Sequence, residues 1–357
     1  MFNFKSICMY IKSNNSLIKA GTLAVLLASA AGLTHGQTLA TSAKVGQGLY
    51  EIVVDHKDGA VYVASVGQQG NPGPYIYKLD PKTLAATDSI ALGEIAGFGL
   101  GINQKTRTLY TSNTRGNSVH AVDIKTGKVL ATISNGAASS HTREIVVDEK
   151  TNTVYVSDVG DPSTVWVIDG KTNQYLYSLE GAGKTATGLA IDSDKGLLYV
   201  TAMGDDEVLV YNTATREKVK SFPSGSESPI NIAFDKKGDR LFVTDSKNSV
   251  LTVLNASSGE LLKKIDVGEN PIGVNFDGKR NRIYTANRQG KSLSVIDGDT
   301  YQVIKHIPTD GLSNTVAVNP KTGGAYVTNK QVGTRVREGQ TPPTPLPNGD
   351  TVSLITP

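Results

Sequence analysis

An all-β chain, folded as a seven-bladed β-propeller with four antiparallel strands per blade, is predicted by three observations. A short apolar phrase closing on Asp or Asn returns seven times: EIVVD at Asp55, GLGIN at Asn103, EIVVD at Asp148, GLAID at Asp192, NIAFD at Asp235, GVNFD at Asp277 and TVAVN at Asn319. Successive returns lie 48, 45, 44, 43, 42 and 42 residues apart. Each is followed by a polar turn and a second phrase, running VYVAS, LYTSN, VYVSD, LYVTA, LFVTD, IYTAN and AYVTN from Val61 to Ala325. β-branched and aromatic runs between polar turns read as strands, and four strands in a repeat of this length make a propeller blade.

The elements follow in chain order. Lys5, Lys12 and Lys19 precede a small-residue apolar run over residues 20–33, the pattern of a secretory signal too short to span a bilayer. Residues 1–36 are therefore expected to be a signal peptide, cleaved between residues 30 and 40, with the propeller occupying 37–357. No later stretch is apolar enough for a membrane span, and the expected location is the periplasm. The only cysteine, Cys8, precedes the apolar run, so the mature chain lacks disulfides, thiol catalysis and cysteine metal sites. The chain has 36 Lys+Arg against 33 Asp+Glu, and three of those lysines fall in the leader. A mature protein of balanced charge is not a wholesale nucleic-acid binder, and any anion site must be a local patch.

Within each blade a third strand, such as HAVD before Ile124, and a fourth, such as KVLATI, complete the unit. The seventh unit has its first two strands, an insertion over residues 330–349, and DTVSLITP as its third strand. Its fourth is missing, while TLATSAKVGQG over residues 38–48 matches the fourth strands of other units. The ring is expected to close with this N-terminal strand, which leaves no blade unpaired beside the first. A single monomeric domain is expected.

The phrases AYVTN, IYTAN and VYVSD resemble the repeat of the YVTN-type β-propeller family. Stretches at residues 97–103, 143–148, 151–160, 186–192 and 243–247 carry the resemblance in order along most of the chain. It implies a periplasmic, non-catalytic protein associated with iron-limited growth and able to bind single-stranded DNA.

In a propeller the first strand of each blade lines the channel, antiparallel to the second. Residues opening strand one and closing strand two therefore share a rim. That rim collects Tyr50, Phe98, Arg143 and Asn231 from first strands, and Arg115, Lys247, Arg288 and Lys330 from the ends of second strands. Arg335 and Arg337 in the insertion add positive charge beside it. Aromatic rings among cations suit single-strand binding, by base stacking and phosphate tracking. The same residues also admit blander roles: Tyr50 and Phe98 as a channel plug, Arg143 paired with Glu144 or Asp158. An envelope protein or peptide is the alternative partner. A metal-dependent lactonase- or lyase-type enzyme is less favoured, because Glu144, Asp158 and Asp245 are the few acids on this rim and no histidine pair has metal-ligand spacing. No cofactor and no catalytic residue are expected. GAGKT at residues 181–185 has Ser178 where a phosphate loop needs glycine, and reads as a turn between blades. GFGLG at residues 97–101 reads as a first strand at the crowded axis. Turns on the opposite rim read as ordinary Asx turns.

Overall fold

Every first strand ends on a buried acid or amide that builds the turn after it. Asp55, Asn103, Asp148, Asp192, Asp235, Asp277 and Asn319 are all nearly inaccessible to solvent. Each accepts the backbone N–H two residues on, at 2.9 to 3.1 Å. Four residues beyond each, the chain takes positive φ at Gly59, Arg107, Asn152, Gly196, Asp239, Asn281 and Gly323. Glycine, asparagine and aspartate tolerate that conformation, which is why the turns are written with them. Arg107 is the exception, and its guanidinium grips both carboxylate oxygens of Asp55 in the neighbouring blade.

The computed structural model describes residues 36–67, 73–333, 341 and 343–357. Residues 1–35 of the expected leader, Arg335 and Arg337 lie outside the described residues. Those residues form seven four-stranded antiparallel sheets in a ring, and no helix among them is long and apolar enough to cross a membrane. The inner strands are Leu49–Val54, Leu100–Asn103, Thr142–Asp148, Ala186–Asp192, Pro229–Asp235, Pro271–Asp277 and Leu312–Val318. Second strands are buried almost throughout, whereas the outer strands expose alternate residues such as Leu130, Leu176 and Ile304. The core lies between blades. Trp166 of blade three is fully buried with Tyr110, Val119 and Ile133 of blade two.

In the last sheet Thr351–Thr356 pairs on one side with Ala325–Lys330 and on the other with Thr38–Lys44. Ser42 lies opposite Ser353, their hydroxyls 2.8 Å apart. Just before this strand, the Gln37 amide donates to the Tyr284 hydroxyl of blade six at 2.8 Å.

The fourth residue of the YVTN-like phrase ties blade to blade in five of the seven units. Ser112 Oγ accepts the Gly99 N–H of its own blade at 2.8 Å and donates to the Arg143 carbonyl of the next at 2.6 Å. Ser157 repeats the pattern, with the Glu144 N–H at 3.0 Å and the Thr187 carbonyl at 2.8 Å. Thr244 reaches the Ile272 carbonyl at 3.1 Å. At the seam, Thr328 accepts the Thr315 N–H at 3.1 Å and donates to the Tyr50 carbonyl at 3.0 Å. Blade four works through Thr187, whose hydroxyl meets Thr201 at 2.9 Å and the Pro229 carbonyl at 3.3 Å. Ala64 and Ala286 occupy this place in blades one and six and have no such hydroxyl. Most first strands carry a register shift here, which frees the N–H the hydroxyl receives.

The fifth residue of the phrase joins strand two to strand three. Asn113 donates to Ser118, Asn287 to Ser292 and Ser294, and Asn329 to Thr351 and Ser353, at 2.8 to 3.1 Å. Blade five has Asp245 instead, fully buried, and Thr252 beside it spends its hydroxyl on the Ser224 carbonyl at 2.8 Å. Burial pushes the Asp245 carboxyl up to about 8, with the nearby Thr252 and Ser224 hydroxyls lowering it only in part. A folded-state value above the unfolded one means that native protein holds the extra proton, so stability falls as pH rises from about 4 towards 8. Asp245→Asn should therefore raise the denaturation midpoint, and more at the alkaline end of that window than at the acid end. An equal change at both ends, in urea titrations, would remove this assignment.

Candidate functional site

Four residues before the closing Asp or Asn of each first strand stand Glu51, Gly99, Glu144, Gly188, Asn231, Gly273 and Thr315. Polar side chains alternate with glycine from blade one to blade seven, and two polar positions, Thr315 and Glu51, meet at the seam. The glycines are required by close backbone approach. A Cβ on Gly99 would lie 2.0 Å from the Arg143 carbonyl oxygen, and one on Gly188 would lie 2.6 Å from the Asn231 Cα. Below the waist, inner strands of all seven blades line a cavity of about 390 Å³.

Glu51 and Glu144 flank Gly99 and face each other's charge. Both are half-buried, and what exposure they keep is to the narrow channel. Burial raises Glu51 well above the usual carboxylate range, the negative charge of Glu144 raises it further, and hydrogen bonds and Arg143 pull it back. Burial likewise lifts Glu144 to about 7 against the pull of Arg143.

The rim residues assemble above this pair. Tyr50 and Phe98 meet edge to face, with ring centroids 5.1 Å apart at 78°. Lys330 Nζ sits 3.8 Å over the Tyr50 ring, and the Arg115 guanidinium 5.6 Å over Phe98. Arg288 donates to Asn314 Oδ1, and Asn314 Nδ2 donates to the Tyr50 carbonyl at 3.0 Å. The Tyr50 carbonyl also accepts from Thr315 and Thr328, so the seam between blades seven and one fixes the aromatic centre of the mouth. Arg143, Arg288, Tyr50, Asn231 and Asn314, together with the Glu51 and Glu144 carboxyls, line a constriction between mouth and channel with room for about one water-sized group. Desolvation, with the like charges of Arg288 and Arg143 and against the pull of Asp350, lowers Lys330 to about 7. Desolvation also lowers Arg288.

Among the expected site residues, Tyr50, Phe98, Arg115, Arg143, Asn231, Arg288 and Lys330 come together at this mouth. Asn231 lines the constriction but spends its Oδ1 on the Ile232 N–H at 2.8 Å. Lys247 does not join them. It is exposed in the outer turn of blade five and ion-paired with Glu227. The expected rim acids are also corrected, except for Glu144. Asp158 accepts the His141 and Gly160 N–H groups and Trp166 Nε1, at 2.7, 3.1 and 3.1 Å. Asp245 is sealed inside its blade. Neither pairs with Arg143, and no described acid forms an ion pair with Arg143, Arg288 or Lys330. Sequence reasoning misses Glu51 and Thr315 as site residues. The alternation of polar residues with glycine at one register of the repeat is the signal that would have found Glu51 and Thr315. No three of the described His, Cys, Asp and Glu side chains gather as metal ligands do.

The profile of the YNCE-like beta-propeller family matches residues 62–277. The chain is 36% identical over 233 residues to YncE of Salmonella typhi, a protein described as uncharacterized, covering 62% of this chain and 65% of that one. It is 33% identical over 276 residues to the uncharacterized YncE of Escherichia coli O157:H7, covering 73% and 77%. With YncE of Escherichia coli K12 the identity is 35% over 237 residues, covering 63% and 67%. The match thus spans 65% of the length of the Salmonella relative.

The charges at the waist make opposite demands on Glu51. Glu144→Gln removes a like charge and should lower the Glu51 titration, whereas Arg143→Met removes an attractive one and should raise it. Carboxyl-carbon NMR titrations of the two variants check this. Shifts of the same sign, or none, would show that the two carboxyls do not share one site.

Proposed function

The chain belongs to the YNCE-like β-propeller family, and from that premise we propose that it is an exported, non-enzymatic binding propeller whose mouth takes single-stranded nucleic acid. One observation carries the reading. Arg143, Arg288 and Lys330 reach the same opening from three blades without an ion pair to any described acid, beside the crossed rings of Tyr50 and Phe98. Cations that face one another cost free energy in the empty protein, and an anionic ligand relieves that repulsion. Flat aromatic surfaces next to them supply a sequence-tolerant stacking platform, worth about 1–3 kcal/mol per base.

The export part of the reading rests on Lys5, Lys12 and Lys19 ahead of the apolar residues 20–33. In a cell with an outer membrane, that route ends in the periplasm. The balanced charge of residues 37–357 restricts the attraction to the mouth, so affinity is modest and falls with salt.

With about three phosphates neutralised, log K against log salt should have a slope of about −2, since each single-strand phosphate contributes roughly −0.7. Fluorescence anisotropy with a labelled oligothymidylate measures it. Arg143→Ala and Arg288→Ala should each flatten the slope by about 0.7, and Lys247→Ala should leave it unchanged. Absence of binding at low salt, or equal effects of all three substitutions, contradicts the reading.

A further inference from the structure

Three features of the mouth remain unexplained by a merely positive rim. The Arg288 Nε is cut off from solvent and has no acceptor, although the same guanidinium is held in place through Asn314. The constriction beside it admits about one water-sized group. Lys330, above it, lies flat against Tyr50 and faces two arginines.

We propose that the mouth is a seat for a single phosphate group, that one phosphate oxygen enters the constriction to meet Arg288 while Lys330 and Arg143 hold the remainder, and that filling the seat takes up a proton. The proposal deepens the nucleic-acid reading and rests on it for the identity of the ligand.

A phosphate oxygen is the size of a water, and it supplies the acceptor that the Arg288 Nε lacks. Guanidinium groups bind such oxyanions through paired N–H groups, and a nearby ammonium adds charge without fixed geometry. Arg288 is fixed, because Asn314 holds it and is itself held by the Tyr50 carbonyl.

The proton follows from what surrounds Lys330. Arg288 and Arg143 face it as like charges, Tyr50 covers one side, and Asp350 is the one acid that favours its ammonium form. The Asp350 Oδ1 is already shared among the Gly48, Leu49 and Gln331 N–H groups, at 3.0 to 3.4 Å. Glu51 and Glu144 line the same constriction, and burial raises both carboxyls, Glu144 to about 7. Lys330 is consequently divided between amine and ammonium near pH 7. A phosphate set against it favours the ammonium, and the same negative charge holds protons on the two glutamates. All three effects have one sign: binding draws a proton from solvent and weakens as pH rises above 7, by up to about tenfold per pH unit for each proton linked.

Isothermal titration calorimetry of the full chain in buffers of different ionisation enthalpy counts that proton. The probes are an oligothymidylate with a 5′-phosphate, the same oligomer without it, and inorganic phosphate. Uptake of roughly half to one proton near pH 7.5 is expected, with affinity falling about tenfold between about pH 7 and 8.5. Lys330→Arg, which cannot lose its charge, should bind at both pH values with no uptake from this site. Its circular dichroism establishes that it folds. A larger uptake with the 5′-phosphorylated oligomer assigns a terminal phosphate, and equal uptake assigns an internal diester; both support the seat. Oligomer binding with no buffer-dependent heat and the same affinity at both pH values overturns the seat and leaves the nucleic-acid reading standing. Uptake with inorganic phosphate but no binding of either oligomer keeps the seat and removes that reading. Failure of all three probes overturns both.

Discussion

The hydroxyl on the fourth residue of the YVTN-like phrase, present in five of the seven blades, is the contact on which the rest of the structure depends. It satisfies a backbone N–H freed by the irregular start of the first strand, and in most blades it donates across to the first strand of the next. A single net hydrogen bond contributes only about 1 kcal/mol, but a buried N–H left without a partner costs about 1–3 kcal/mol. The hydroxyl therefore stabilises chiefly by preventing a loss at two blades at once. Glycine at the alternating register lets backbones come close enough for this reach, as the 2.0 Å gap between a Cβ on Gly99 and the Arg143 oxygen demonstrates.

The same contacts position the mouth. The carbonyls that receive the hydroxyls belong to Arg143, Thr187, Ile272 and Tyr50, the residues that open their first strands. Anchoring a backbone there fixes where its side chain leaves the rim. Tyr50 is the most constrained, with three donors on one oxygen at the seam where the chain's two ends share a sheet. Phe98 and Lys330 pack on its ring, and Arg288 is tied to it through Asn314. Stability of the seam and geometry of the mouth thus have a common cause.

Most of the fold was legible because a repeat states its rules seven times. The closing Asp or Asn, the positive-φ residue four places on and the tyrosine of the second phrase are each dictated by local backbone or burial demands, so they recur in the sequence as they do in space. The mouth was legible only in part. Tyr50, Phe98, Arg143, Arg288 and Lys330 were placed on one rim by strand direction alone, since antiparallel pairing fixes which ends meet. Strand direction does not show what a rim side chain meets, as with Lys247, which is exposed and ion-paired with Glu227. Asp158 and Asp245 were misjudged because the neighbours that consume or enclose them come from a third strand. Glu51 was overlooked inside an apolar phrase, although its place in the glycine alternation marks it as facing the channel. What a group's charge will be depends on distances between blades, and no spacing along one chain supplies those.

The account therefore stands on the claim that seam contacts hold Lys330 dehydrated among like charges. Carbon-detected NMR titration of the lysine side chains, in the native chain and in Thr328→Val, tests it most directly. The account predicts one lysine, absent from Lys330→Met, that titrates at about 7, and its movement towards the ordinary lysine range when Thr328 loses its hydroxyl. A native chain in which every lysine titrates in the ordinary range would contradict it.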